Sequence, residues 1–175
     1  MPTSLRGGFF EPCGLNSLML YEAERVEVSH LVTRRPVATP TPFRAPGETP
    51  GSFTLETALD ELAFGLRMDP LTLRIRDYAN HDAYHARPWS SNNLLQCYAE
   101  GARRFSWPGS FVEPRSMRRD GSLFGYGMAT TAYPAPALPA AVRLTLGPSR
   151  PVVLETSATD IGTGMRTSRA SMPSA

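Results

Sequence analysis

Lysine is missing altogether: all 18 basic residues of the 175-residue chain are arginine. A GC-rich genome accounts for that usage, which says nothing of function. The formal charge is only +2, and the arginines are scattered rather than striped, so the chain lacks the basic footprint of a nucleic-acid binder. Cysteine is nearly absent. Cys13 and Cys97 stand far apart in no Cys-x-x-Cys or Cys/His cluster, so they cannot supply the four thiolates of an iron–sulfur cluster. A disulfide between them is one fate; a mostly buried free thiol at Cys97 is the expected one. No apolar run approaches the roughly 20 residues of a membrane span, and the opening MPTSLRGGFF, glycine-containing and irregular, lacks the charged-then-apolar layout of a signal peptide.

Proline (17) and glycine (14) are abundant instead. Between them amphipathic segments recur, so the excess implies turns and long connections rather than disorder. The chain is long enough for one domain or parts of two.

The stretch that organises the chain is 41–51, TPFRAPGETPG. Its prolines fix φ, and each pushes the residue before it out of the α region. Gly47 and Gly51 permit close approaches that a Cβ would forbid. Such a loop is stiff and holds Phe43 and Arg44 in one place. Apolar residues from Phe53 to Leu66 then recur at helical spacing (Phe53, Leu55, Ala58, Leu59, Leu62, Ala63, Leu66), predicting a helix over 52–66 with Ser52 as N-cap, Glu56 close to its first turn, and Asp60 and Glu61 solvated. Asp69-Pro70 opens a second helix, 70–79, with Asp as N-cap and Pro at the first position. A third, 91–106, is capped by Ser90 or Ser91 and buries Leu94, Leu95, Tyr98, Ala102 and Phe105.

Around these helices the texture is β. Residues 18–33 read as two short strands, with Val26, Val28, His30 and Val32 in alternation and His30 as a hydrogen-bonded structural histidine. His81 and His85, four apart in NHDAYH, have a metal-compatible spacing, but the segment reads as loop with no third ligand. Residues 111–121 resemble a linker, 123–131 a glycine-rich strand, and 141–146 with 152–156 a hairpin around Gly147-Pro148-Ser149.

The combination PFRAPGE…GSFTLETALDELAFGLRMDPLTLRIRDYAN, spanning with its surroundings about Glu11 to Gly164, resembles the molybdenum-binding subunit of the xanthine dehydrogenase/aldehyde oxidase family, the molybdenum hydroxylases, in their bacterial aldehyde-oxidising branch. Glu11-Pro12-Cys13-Gly14 resembles a segment of the same subunits. The resemblance implies an α+β fold made of parts of two adjoining molybdopterin-binding domains, 1–110 and 111–175. It implies carbon hydroxylation with oxygen taken from water, and a glutamate general base that lies outside this sequence. The cofactor is then molybdopterin, in its cytosine dinucleotide form, with molybdenum. Iron–sulfur (2Fe-2S) and FAD subunits are the partners, and no residue here binds the metal directly.

By the same resemblance, Phe43, Arg44 and Ala45 pack beside the metal, and Arg44 stabilises negative charge on the substrate oxygen. Arg74 reaches an anionic group of the cofactor or is a surface arginine near a helix end. Gly162, Thr163 and Gly164 form a cofactor loop. Ala45-Pro46 stands where purine-hydroxylating relatives carry a second aromatic. Pro40-Thr41-Pro42 lacks the cysteine of carbon monoxide dehydrogenases. Aldehydes or N-heterocycles remain as substrates. Residues 165–175 resemble no helix of the family and read as an out-of-frame tail, so the chain is expected to be a fragment, inactive alone, of a cytoplasmic or periplasmic enzyme. The rival reading is a non-enzymatic α+β binding or scaffolding module.

Overall fold

The computed structural model describes residues 10–33, 36, 38, 42–82, 85–133, 139–147 and 150–171. Residues 1–9, Pro40 and Thr41, the middle of NHDAYH (Ala83 and Tyr84), the turn residues Pro148 and Ser149, and 172–175 of the tail lie outside the described residues. The chain divides into two compact units, Met1–Pro134 and Ala135–Ala175.

Helix α1 spans Glu48–Gly65, four residues earlier than the apolar pattern suggests. Pro50 does not delay it, because the first amides of a helix have no intrahelical partner to lose. Gly47, at φ +84°, is the N-cap, and Ser52 sits inside the helix with its Oγ accepting from Asn16 Nδ2. The buried stripe carries Glu48, Gly51, Glu56 and Ala63, while Phe53, Leu62 and Leu66 of the expected apolar face are exposed. The helix has apolar residues on two sides. The side that this chain covers is the one carrying Glu56 and Asp60, because a 3₁₀ turn at Leu15–Leu18 and helix α2 pack there.

Helix α2 covers Pro70–Arg76, shorter than the expected 70–79 because Asp77 already leaves helical geometry. Its start is as the sequence predicts: Asp69 Oδ2 accepts from the Thr72 N–H (2.8 Å) and from its hydroxyl (2.9 Å). The other oxygen accepts from the Trp107 indole N–H at 2.7 Å. Leu71 and Leu73 are buried, and Ile75 is not. Beyond α2, Glu22 N–H donates to Asp77 C=O and Tyr21 forms an isolated bridge with Tyr78.

That bridge is all the β structure the described residues show in 18–33. Among the described residues the alternating valines have no neighbouring strand to pair with, and Val26, Leu31 and Val32 stand in solvent. His30 does act structurally: its Nε2 accepts from the Gly14 N–H at 3.2 Å, and Phe10 meets its ring edge-on.

Two-residue strands β1 (His81–Asp82) and β2 (Arg87–Pro88) pair antiparallel, followed by α3, Leu94–Phe105. The third helix begins at Leu94 rather than 91, and Asn92 Oδ1, not a serine, accepts the Leu94 N–H. Only Tyr98 of its expected stripe is fully buried, and Cys97 is exposed rather than buried. Residues 111–133 belong to the first unit, where β3 (Arg118–Arg119) pairs with β4 (Ser122–Leu123). Residues 124–131 form no strand; this segment bonds to α1 side chains instead, with the Thr130 N–H donating to Glu56 and the Thr131 hydroxyl paired with that of Ser52.

In the second unit, β5 (Val142–Gly147) and β6 (Arg150–Thr156) form the expected hairpin, with Leu144 opposite Leu154. Helix α4, Met165–Ser171, takes up most of the segment read as an out-of-frame tail, so that segment has regular structure.

Candidate functional site

The loop at 42–47 presents Phe43 and Arg44 outward, with Phe43 88% exposed. Among the described residues the Arg44 guanidinium has no partner. Its backbone, by contrast, is tied down. The Thr49 N–H donates to Ala45 C=O (3.1 Å), and the Thr49 hydroxyl to Arg44 C=O (3.4 Å). The Gly47 N–H donates to Glu11 Oε2 (3.3 Å). Ala45 has φ +54°, a left-handed conformation that costs a non-glycine residue about 1–2 kcal/mol. The surrounding bonds hold it there and aim Arg44 outward.

Glu11-Pro12-Cys13-Gly14 forms the floor of this loop. A Cβ on Gly47 would stand 3.1 Å from the Pro12 carbonyl, and one on Gly51 only 2.0 Å from Cys13 C=O. Gly51→Ala must therefore push the floor away. We expect a loss of about 1–3 kcal/mol by overpacking, read from the denaturation midpoint. An unchanged midpoint would mean that 11–14 does not lie against α1. Two buried acceptors meet at the start of α1, Asn16 Oδ1 on the 3₁₀ turn and Glu48 Oε2 on the helix, without a partner among the described residues. Buried acceptors of this kind normally have a donor, which none of the described residues supplies.

Arg74 lies elsewhere on the first unit. It is wholly buried, which overturns the surface-arginine alternative. Its Nε and one terminal nitrogen reach Glu56 Oε2, each at 2.8 Å. The same terminal nitrogen lies 2.9 Å from Asp60 Oδ1, and the other donates to Pro70 C=O at 3.1 Å. Glu56 also accepts from the Tyr21 hydroxyl (2.6 Å) and the Thr130 N–H (2.9 Å), and the Tyr98 hydroxyl pairs with Thr130 Oγ1. Burial and the Glu56 carboxylate push the Tyr21 hydroxyl far above its ordinary pKa, and burial raises Tyr98. For Arg74, burial opposes the charge, but the carboxylates of Glu56 and Asp60 win and hold it on. Glu56 sits eight residues, about 12 Å, into α1 rather than in its first turn, and Asp60 is an ion-pair partner rather than a solvated charge.

In the second unit, Asp160 Oδ1 accepts the N–H groups of Gly162 (2.9 Å), Thr163 (3.0 Å) and Gly164 (3.3 Å). Its other oxygen accepts from Arg166 N–H. These bonds, led by Gly162, hold the Asp160 carboxyl below the usual range. The loop is thus an anion-binding turn whose anion is its own side chain. Sequence reasoning missed Asp160 and Glu56. An Asp two residues before a Gly-x-Gly is a recognisable turn signal, whereas a buried glutamate is visible only once α2 supplies its arginine.

The histidine segment binds its own chain. Buried Asp82 accepts from His85 Nδ1 (2.7 Å), from the His85 N–H (3.1 Å) and from Arg87 Nε (3.2 Å). Burial opposes its charge, but those bonds prevail and keep the carboxyl below its ordinary value. A depressed folded pKa contributes stability above the unfolded value, about 3.9, and that contribution is lost as pH falls through the folded value. We expect the β1–β2 turn to loosen below about pH 4, seen as a shift of the His85 ring resonances, and Asp82→Asn to abolish that acid transition.

Residues 3–78 match the family described as molybdopterin cofactor-binding domain. The chain is also 33% identical, over 94% of its length, to the aldehyde oxidoreductase molybdenum-binding subunit PaoC of Escherichia coli O157:H7, and 32% identical to PaoC of the K12 strain. Over residues 3–78 the chain is thus similar to a molybdopterin cofactor-binding domain. The match covers 22% of the length of those two relatives. The residues fit that cofactor unevenly. Among the described residues the Arg44 donors are unengaged, and two buried acceptors, Asn16 Oδ1 and Glu48 Oε2, stand unfilled beside the start of α1. The donors of Arg74 and of the 162–164 loop are already engaged within the chain.

Proposed function

We propose that this stretch forms part of the molybdenum cofactor site of an oxidoreductase that hydroxylates aldehydes, with N-heterocycles as the second substrate class. The observation that carries the proposal is the strained, tied-down loop at the base of α1, which presents an arginine that has no partner among the described residues. When bound, the cofactor would supply activation of water and uptake of hydride. The chain's own part is to position. Arg44 would direct planar, permanently charged donors toward the substrate oxygen as it becomes negative. Asn16 Oδ1 and Glu48 Oε2 would accept from a donor placed against the start of α1.

The finer reading adds the cytosine dinucleotide form of the cofactor, iron–sulfur (2Fe-2S) and FAD subunits as partners, a boundary between adjoining molybdopterin-binding domains at 110/111, and a chain that is inactive by itself. The engaged donors of Arg74 and 162–164 favour the rival scaffolding reading for the isolated chain. Expressing the chain within its full genomic reading frame, and measuring molybdenum, pterin and turnover of an aromatic aldehyde in ¹⁸O-labelled water, tests the proposal. Near one equivalent of molybdenum with labelled carboxylate as product is expected. A folded product with no molybdenum and no turnover would leave the scaffolding reading standing.

A further inference from the structure

Between α2, α3 and residues 127–128 lies a cleft of about 190 Å³, whose walls include Cys97, Gly101, Phe105, Trp107, Gly127 and Met128. It contains no residue of the 42–47 loop, so a ligand held here is independent of the proposed cofactor site. Three features of the walls bear on what the cleft takes.

The two glycines are the first. Gly101 lies inside α3, where glycine costs about 1 kcal/mol relative to alanine. A Cβ added at Gly101 or at Gly127 would meet nothing within 4 Å, and neither residue has a positive φ. Neither backbone geometry nor packing therefore requires them. What they share is that they leave this cleft open.

The second feature is the state of the polar atoms in the walls. The Trp107 indole N–H is bonded to Asp69 and the Tyr98 hydroxyl to Thr130. The side chains that remain toward the space are aromatic, thioether and thiol groups, which attract ring faces and edges. The third is size and shape. A dry cavity of about 150 Å³ holds a benzene ring in another protein, so this cleft has room for one ring. Its aromatic wall is braced, with Trp107 and Tyr126 packed edge to face at 4.9 Å and Phe105 about 6 Å from both.

We propose that the cleft is a binding site for a single apolar aromatic ring, held between α3 and the Gly127-Met128 segment. Toluene is the probe. With Trp89 replaced by Phe, Trp107 becomes the one indole of the chain, and its emission reports occupancy directly. The expected result is a saturable emission change on adding toluene to the full chain. Gly101→Leu, which fills the space, should weaken binding at least about tenfold, equivalent to about 1.4 kcal/mol, while leaving the circular dichroism spectrum and melting midpoint unchanged or improved. If Gly101→Leu does not fold, Gly127→Leu provides the same block from the other segment. A linear, non-saturating response of the parent chain, or binding that survives a folded blocking variant unchanged, would overturn the proposal.

Discussion

Arg74→Met is expected to destabilise the first unit by about 3–5 kcal/mol, the usual cost of removing one partner from a buried ion pair. Arg74 is completely buried against Glu56, itself 5% exposed. Methionine replaces the aliphatic bulk but leaves two carboxylates, Glu56 and Asp60, facing a site that no longer holds a cation. Domains of this size are stable by about 5–15 kcal/mol, so the loss is a large share, and the melting midpoint should fall roughly 10–20 °C. The chemistry also fixes the pH dependence. In the variant, protonating a carboxyl relieves the unpaired charge, so the gap between parent and variant should narrow as pH falls. Glu56→Gln in the Arg74→Met background should recover part of the loss, because it removes the stranded charge while keeping an acceptor for the Thr130 N–H. An Arg74→Met chain that melts with the parent would show that Glu56 and Asp60 are not held by this arginine.

How much of this was legible in the sequence depends on whether the signal was local. The Asp69-Pro70 cap was readable because cap, proline and helix are adjacent in the chain, and the β5–β6 hairpin because alternation flanks a turn. Helix α1 starts before the apolar pattern does, because Pro50 falls in the helix's unpartnered first turn and Gly47, not Ser52, is the N-cap. The strands expected in 18–33 failed for a different reason. Alternation describes a strand only if another strand lies beside it, and here Tyr21 reaches Tyr78 and Glu56 instead. The buried network was illegible because its members, Tyr21, Glu56, Arg74 and Thr130, are scattered over more than a hundred positions. Each alone looks like an ordinary polar residue. For the candidate site, proline and glycine placement pointed to the loop and its arginine, and the Asp two residues before Gly-x-Gly marked a turn, but the occupation of the 162–164 amides by its carboxylate shows only in the side-chain geometry.

Under the proposed function, Arg44→Lys made in a molybdenum-loaded protein carrying this stretch should lower kcat by about 10²–10³, the usual loss when one donor to a developing oxyanion is removed. Lysine keeps the charge but not the planar fork, so two fixed donors become one mobile point charge. The loss belongs in kcat because only an interaction stronger in the transition state than in the ground state changes that term. An arginine that merely anchors substrate would raise KM and leave kcat alone, and one that merely supports the loop would lose molybdenum and activity in proportion. The backbone of 44–47 is held by Thr49 and Glu11 without help from the Arg44 side chain, so cofactor content should survive the change. The deciding measurement is therefore kcat per molybdenum atom in Arg44→Lys. The account predicts a fall of two to three orders of magnitude, about 10²–10³, at unchanged molybdenum content; an unaltered kcat per molybdenum would contradict it.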